Sequence, residues 1–207
     1  MNREKTAEIL LETEAVFLRP DEPFTWASGI KSPVYCDNRL TLSSPEARTA
    51  IEKAIADTVK TEYPDAEILM GTSTAGIAHA AIAAHILGLP MGYVRSAAKD
   101  HGRGNRIEGR LLPGQKTVII EDLISTGGSV LDTADALIHA GADVLGIVSI
   151  FTYQFDEAAR RMSKAGIRNV SLCDLDTLLH TAKAKGYINE EDIKLIEAFK
   201  AAPKEWR

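Results

Sequence analysis

The sequence predicts an α/β fold in which a parallel sheet is flanked by helices on both faces. Apolar strand-like runs alternate with helix-like segments between about residues 67 and 172, which is typical of a parallel sheet. The run Val118-Ile119-Ile120 has no polar alternation, and this favours a strand that is covered on both sides. Because such a sheet binds ligands at the carboxyl ends of its strands, we expect the functional residues there.

The individual elements follow from caps, periodicity and glycine breaks. Residues 4–16 are predicted to form a short amphipathic helix, followed by strand-like pieces at 24–26 and 33–36 that are joined by Ser28-Gly29. A serine cap and a proline in the first turn predict a helix that begins at 43–46 and runs to about residue 61. Further strands are predicted at 67–70, 91–94, 116–120, 144–151 and 170–172, and further helices at 77–87, 129–140 and 156–165. The stretch 174–200 is predicted to form two helices broken at Gly186.

The segment 96–110 interrupts this alternation. It is long, polar and contains three glycines. A long connection without secondary structure in a compact domain is usually functional, and many such connections are lids over a binding site.

Composition narrows the function classes. The chain has 207 residues, of which 45% are hydrophobic and 26% charged, so it can bury a core without disulfides or metals. A net charge of −5 and a pI of about 5.6 weaken a nucleic-acid-binding interpretation, although Arg103 and Arg106 form a local basic cluster.

Cys36 and Cys173 are far apart, which predicts reduced thiols in a cytoplasmic protein rather than a disulfide scaffold or a zinc site. The charged N-terminus is unlike a signal peptide, and no apolar run reaches the roughly 20 residues of a membrane span.

The most informative run follows the buried strand at 116–120. Its residues are Glu121, Asp122, Leu123, Ile124, Ser125, Thr126, Gly127, Gly128 and Ser129. Glycines let backbone N–H groups converge on an anion, a helix N-terminus adds positive potential and the hydroxyls add donors, so the run predicts a phosphate site. Carboxylates beside a phosphate need another partner, and ribose hydroxyls, directly or through magnesium, supply one. Exposed charge at a strand end remains the simpler alternative. The Gly-Lys-Ser/Thr of a nucleotide-binding P-loop and the dinucleotide fingerprint are both missing from this run.

This run closely resembles the signature with which type I phosphoribosyltransferases bind phosphoribosyl pyrophosphate (PRPP). Two other blocks resemble the orotate phosphoribosyltransferases within that family: 95–102, which contains a Lys-x-His core, and 24–33 near the N-terminus. The resemblance implies a Rossmann-like type I phosphoribosyltransferase fold with a small N-terminal hood. It also implies one domain over 1–207, with the hood at about 1–40, the α/β core at about 41–175 and C-terminal helices at about 176–207.

The resemblance further implies transfer of the ribosyl 5-phosphate group from PRPP to orotate in pyrimidine (UMP) biosynthesis. Lys99, His101 and Asp122 would be catalytic, with Lys99 and His101 acting as electrostatic clamps because orotate supplies its own anionic nitrogen. PRPP would contact Arg95, Lys99, His101, Glu121, Asp122, Leu123, Ile124, Ser125, Thr126, Gly127, Gly128 and Ser129. Ser125 would also contact orotate, and the loop 71–76 would hold pyrophosphate. Mg²⁺ would be the cofactor without dedicated protein ligands, and the chain would form a homodimer with shared active sites, independent of nucleic acid and membrane.

Some positions depart from the pattern of relatives. Cations present in many of them are replaced here by Ala27, Ala75, Ser96 and Tyr153, and Lys31 or Arg39 are the available substitutes. Trp26, Tyr35 and Tyr153 could stack on a base or serve in packing, whereas Trp206 is interpreted as peripheral. The histidines on predicted helices, interpreted as surface or core residues, are His79, His85, His139 and His180.

Three alternatives stay open at the level of sequence. Another phosphoribosyltransferase, for a purine or uracil, would share the PRPP signature. A non-catalytic PRPP-sensing regulator would keep the phosphate site but lose the cationic loop or add a DNA-binding module. A PRPP-synthesising kinase would need a nucleotide site and a longer chain.

Overall fold

The computed structural model describes residues 1–26, 29–96 and 106–206, and every structural statement below concerns that part of the chain. It contains seven α-helices and one 3₁₀ helix, Asn38–Ser43. The α-helices are α1 (Arg3–Glu12), α2 (Pro45–Glu62), α3 (Gly76–Leu87), α4 (Gly128–His139), α5 (Asp156–Ala165), α6 (Leu175–Ala184) and α7 (Glu190–Ala201). The predicted helix starts and ends are confirmed to within two residues for α2 to α5, and the two C-terminal helices lie on either side of Gly186 as predicted.

Ten strands form one large sheet and two short ribbons. The strands of the ribbons are β1 (Val16–Leu18), β2 (Phe24–Thr25), β3 (Lys31–Ser32) and β4 (Val34–Cys36). The strands of the large sheet are β5 (Ile68–Thr72), β6 (Met91–Val94), β7 (Ile107–Glu108), β8 (Lys116–Ile124), β9 (Asp143–Thr152) and β10 (Asn169–Asp174).

The large sheet has the strand order β10-β9-β8-β5-β6-β7. The first five strands are parallel, and β7 pairs antiparallel with β6 at the edge. Two separate hydrophobic clusters cover its faces, and successive residues of β8 alternate between them: Val118 and Ile120 join one, and Ile119 joins the other. The predicted parallel sheet with helices on both faces is therefore confirmed, and the carboxyl ends of the five parallel strands share one edge.

The N-terminal region differs from its prediction. Helix α1 ends at Glu12 rather than near residue 16, because Glu14 adopts a positive φ of 55° and the chain turns into β1. The two strand-like pieces have different partners: β2 pairs with β3, whereas β4 pairs with β1. These short ribbons bury apolar residues such as Val16 and Val34 in the larger of the two clusters.

Strand β8 is longer than predicted. The sequence suggested an end at residue 120, before the two carboxylates, but the strand continues to Ile124. Its neighbour β9 continues alongside, with Leu123 opposite Phe151 and Ile124 opposite Thr152. The acid pair therefore lies within a hydrogen-bonded strand, which holds its backbone rigidly.

Two further predictions need correction. The segment 96–110 is not without structure throughout, because residues 107–108 form β7. Trp206 is not peripheral: its ring centroid lies 5.7 Å from that of Phe199, and its Nε1–H donates to the Leu195 carbonyl at 2.9 Å. Among the described helices, none is long and apolar enough to cross a membrane.

Candidate active site

The turn between β8 and α4 is built to expose backbone N–H groups. Gly127 has a φ of 77°, a left-handed conformation that glycine adopts without strain, and it lies at the N-cap position of α4. No side chain caps this helix, so its first N–H groups have no intrahelical partner and no side-chain acceptor at the cap. The Ser125 hydroxyl oxygen accepts a hydrogen bond from the N–H of Thr126 at 2.6 Å, which closes the turn. This arrangement favours an anion at the helix N-terminus.

The two carboxylates before this turn have different surroundings. Glu121 is 5% exposed, and its Oε1 accepts hydrogen bonds from the Thr72 hydroxyl at 2.6 Å and from the N–H of Asp122 at 3.0 Å. Burial, together with the nearby Asp122 carboxyl, raises the pKa of Glu121 to about 8. Asp122 is half-buried. The accessible carboxylate of the pair is therefore Asp122, while Glu121 is held inward.

An asparagine from the N-terminal region anchors the acid pair. Asn38 is fully buried, and its Nδ2 donates to the Asp122 carbonyl at 2.7 Å. This contact joins the 3₁₀ helix to the carboxyl end of β8. Asn38 was not predicted as a site residue, because the sequence shows only a polar residue two positions after the predicted strand 33–36.

The turn between β5 and α3 lies beside the acid pair. The N–H of Ser73 donates to the Val94 carbonyl at 3.1 Å, and α3 begins at Gly76. A Cβ at Gly76 would lie 2.4 Å from the Ile120 carbonyl oxygen and 2.6 Å from the Thr72 hydroxyl oxygen. Only glycine permits this close approach of α3 to β8, so the turn is placed by backbone contact.

A cavity of about 520 Å³ opens between this turn and the end of β6. Its lining residues are Ser73, Thr74, Ile77, Tyr93, Arg95, Ser96 and Glu108. The Nη1 atom of Arg95 is buried, has no hydrogen-bond partner in the described part of the chain, and lies 3.8 Å from Oε1 of Glu108. A guanidinium nitrogen that is buried beside a cavity, with no hydrogen-bond acceptor among the described residues, is suited to an anionic ligand.

Arg95 and Arg106, which flank residues 96–105, are hydrogen-bonded to each other. The N–H of Arg95 donates to the Arg106 carbonyl, and Nε of Arg106 donates to the Arg95 carbonyl, both at 2.8 Å. The Arg106 guanidinium also pairs with Asp132 of α4 at 2.7 Å. These contacts connect the end of β6 and the start of β7 to helix α4.

The structure brings several of the candidate residues predicted from sequence to one edge of the sheet. These are Arg95, Glu121, Asp122, Leu123, Ile124, Ser125, Thr126, Gly127, Gly128 and Ser129, together with the loop 71–76. Lys99, His101 and the departure position Ala27 lie outside the described residues. Tyr153 is 2% exposed and stacks on Phe155 with ring centroids 5.2 Å apart, so it serves in packing. Trp26 packs on the same ring of Tyr153 at 5.3 Å.

Comparison with known proteins defines the class of this chain. Residues 41–178 match the family model of the phosphoribosyl transferase domain. The orotate phosphoribosyltransferase of Streptococcus mutans is 53% identical over 201 residues, which are 97% of this chain and 96% of that protein. This chain belongs to the orotate phosphoribosyltransferase family.

Solved structures agree on the fold. The orotate phosphoribosyltransferase of Aeropyrum pernix superposes with a TM-score of 0.76 at 27% identity, covering 88% of this chain and 99% of that one. UMP synthase of Leishmania donovani superposes with a TM-score of 0.81 at 24% identity, a similarity of fold alone. That alignment covers 95% of this chain but only 42% of the Leishmania protein.

Proposed function

We propose that this chain transfers the ribosyl 5-phosphate group of PRPP to orotate, giving orotidine 5'-monophosphate and pyrophosphate in pyrimidine biosynthesis. The observation that carries the proposal is the placement of three features at one edge of the sheet: the uncapped start of α4, the acid pair and the buried Nη1 atom of Arg95. A phosphate, a ribose and a pyrophosphate are the three parts of PRPP. Membership of the orotate phosphoribosyltransferase family supports orotate as the acceptor.

Each part of PRPP is assigned to one feature. The turn 125–129 would bind the 5-phosphate through backbone N–H groups and hydroxyls, with Ser125 also contacting orotate. The acid pair would bind the ribose hydroxyls, mainly through Asp122, because Oε1 of Glu121 is already bonded to Thr72. Arg95 and the loop 71–76 would bind pyrophosphate at the 520 Å³ cavity. Lys99 and His101 remain assigned to the same pyrophosphate by family resemblance.

This arrangement suits the charges that develop during transfer. Breaking the glycosidic C–O bond leaves positive charge on the ribose ring and negative charge on the departing pyrophosphate. The Asp122 carboxylate would lie near the ribose, and the Arg95 guanidinium would lie near the pyrophosphate. Fixed charges of this kind stabilise the transition state because they need no reorganisation when the bond breaks. Orotate attacks through its own anionic nitrogen, so no strong base is assigned.

The residues present fit Mg²⁺ as a cofactor that arrives with PRPP. Mg²⁺ takes oxygen ligands and is usually held by one or two carboxylates together with substrate phosphates. In the described ranges no group of three or more His, Cys, Asp or Glu could hold a metal, so Asp122 would share the ion with oxygens of PRPP. When bound, the ion supplies positive charge to the leaving group.

The direct test is an assay with orotate, PRPP and Mg²⁺ that follows the fall in orotate absorbance. A panel of uracil, adenine and hypoxanthine, read by pyrophosphate release, tests the acceptor. We expect turnover with orotate and none with the other bases. Release of pyrophosphate with a purine or uracil but not with orotate would refute the acceptor assignment. PRPP binding without turnover of any base would indicate a regulator instead.

We also propose a homodimer with shared sites in the cytoplasm. Each subunit would be one domain over 1–207, with a hood at about 1–40, an α/β core at about 41–175 and C-terminal helices at about 176–207. Family resemblance supports a site in which the segment around Lys99 of one subunit completes the acid-pair site of the other. Mixing the variants Lys99→Ala and Asp122→Asn tests this sharing, because a hybrid dimer would hold one site with both defects and one with neither. For random mixing of independent sites, we expect recovery of about a quarter of wild-type activity. Hybrids that form but stay inactive would show that each segment serves its own subunit.

A further inference from the structure

A buried hydrogen-bonded pair of titratable side chains connects α2 to α3, outside the site described above. Glu52 and His79 are both fully buried, and His79 Nδ1 lies within hydrogen-bond distance of Glu52 Oε1 at 2.5 Å. The other polar atom of each side chain, Glu52 Oε2 and His79 Nε2, has no hydrogen-bond partner among the described residues. Burial raises the pKa of Glu52, and the hydrogen bond with His79 opposes that rise. Burying two such groups is unfavourable compared with an apolar pair of similar size, which indicates that the pair does more than fill space.

The remainder of the α3 contact offers little side-chain interlocking. The buried residues of α3 are Gly76, His79, Ala80, Ala83 and Ala84. Because alanine and glycine present smooth surfaces, they permit a helix to slide or rotate against its neighbour. The hydrogen bond between His79 and Glu52 is directional, and a single buried polar contact can fix the register of two packed helices.

Helix α3 in turn contacts the acid pair. His79 lies in the first turn of α3, three residues after Gly76. Gly76 approaches the Ile120 carbonyl and the Thr72 hydroxyl so closely that a Cβ would overlap both oxygens. The Thr72 hydroxyl donates to Glu121. A shift of α3 along its axis would therefore move the turn 73–75 and disturb the bond that holds Glu121.

We propose that Glu52 and His79 are positioning residues that fix the first turn of α3, and with it the turn 73–75 that contacts the pyrophosphate of PRPP. The inference rests on the proposed function, since it assigns that turn to PRPP. Neither residue is catalytic. Their effect passes through the backbone of α3 and the hydroxyl of Thr72, so it should be specific to PRPP and not to orotate.

The test is a double variant, Glu52→Leu with His79→Leu, which keeps the volume and removes the buried polarity. We expect it to fold with a thermal midpoint near or above that of the wild type, because the buried polar groups are gone. We expect kcat/KM for PRPP to fall about 10- to 100-fold, the size of effect that a displacement of roughly an ångström produces, while KM for orotate stays within about twofold. A matched control is His85→Leu, which alters an exposed histidine of the same helix and should change neither constant.

Two single variants of Glu52 cover the case in which the double variant does not fold. Glu52→Asp shortens the side chain by one methylene and lengthens the contact, and we expect a smaller PRPP-specific loss of about fivefold. Glu52→Gln retains a hydrogen bond to His79, so its kcat/KM for PRPP should stay near that of the wild type. If the folded variants keep the wild-type kcat/KM for PRPP, or lose activity toward PRPP and orotate equally, the positioning role is wrong.

Failure of the proposed function can be distinguished from failure of this inference. If the wild type binds PRPP but does not convert orotate, the proposed function fails. Calorimetric titration of PRPP into wild type and variants then still tests the pair, and equal dissociation constants would overturn it.

Discussion

Two strand–turn–helix units meet at the same edge of the sheet and are built in opposite ways. The β8–α4 turn is open: its glycine has room for a Cβ, with Met162 as the nearest atom at 3.5 Å, and the glycine is required by its positive φ. The β5–α3 turn is tight: Gly76 has no space for a Cβ because the Ile120 carbonyl is 2.4 Å away. The first turn is therefore formed by local conformation, whereas the second is placed by packing against its neighbours.

The largest effect should come from the acid pair that lies between the two turns. Asp122→Asn keeps the backbone carbonyl that accepts from Asn38 and removes one charge. We expect a loss of about 1.5–3 kcal/mol, or roughly 10- to 150-fold in kcat/KM for PRPP, because hydrogen bonds to charged groups contribute this much. Asp143→Asn, an exposed aspartate at the opposite end of β9, is the control. Wild-type kcat/KM in Asp122→Asn would contradict the assignment of the acid pair.

The comparison of the two turns is tested by adding one methyl group to each. Gly76→Ala forces a backbone overlap and should lower the free energy of unfolding by about 1–3 kcal/mol, as overpacking does. Gly127→Ala meets only conformational strain in the left-handed region, about 1–2 kcal/mol. Urea unfolding of both variants measures the difference. A Gly76→Ala variant as stable as the wild type would show that α3 can move away from β8 without cost.

These two glycines also show what the sequence could and could not predict. The Gly127-Gly128 pair in its long motif predicted the phosphate site, because a local turn depends on neighbouring residues. Asn38 and the Glu52–His79 pair were not predicted as site elements, and the close contact that requires glycine at position 76 of the predicted loop 71–76 was not predicted either. Both depend on contacts between residues distant in the chain. The end of β8 was missed for the same reason: a pattern of apolar residues does not reveal that β9 continues beside the carboxylates.

The acid pair should also leave a signature in the dependence of stability on pH. The pKa of Glu121 is about 8 in the folded protein, whereas its ordinary value is 4.5, so between these values the folded state holds a proton that the unfolded chain releases. Stability contributed by this protonated form is lost as the pH rises. In thermal unfolding without ligands, the midpoint of Glu121→Gln should therefore rise relative to that of the wild type as the pH increases from 5 to 8. A constant difference across that range would mean that Glu121 is ionised throughout.

The smallest effect is expected where the edge strand is tied to α4. The carboxylate of Asp132 is 60% exposed, so its pair with Arg106 is screened by solvent. Asp132→Asn should change the free energy of unfolding by about 0–1 kcal/mol, and less in high salt. Arg106→Ala should cost more, because it also removes the bond to the Arg95 carbonyl. Equal losses for the two variants would show that the ion pair alone stabilises this edge.

The antiparallel pairing of β6 and β7 has a consequence for engineering. Arg95 directly follows β6, Arg106 directly precedes β7, and the two residues are hydrogen-bonded to each other. An insertion between Arg95 and Arg106 would begin and end at neighbouring residues, so its length would not change the positions of the parallel strands. The entropy of closing such a connection grows only slowly with the number of residues. A reporter peptide or a sensor module grafted between these two arginines should therefore leave the remaining strands in register.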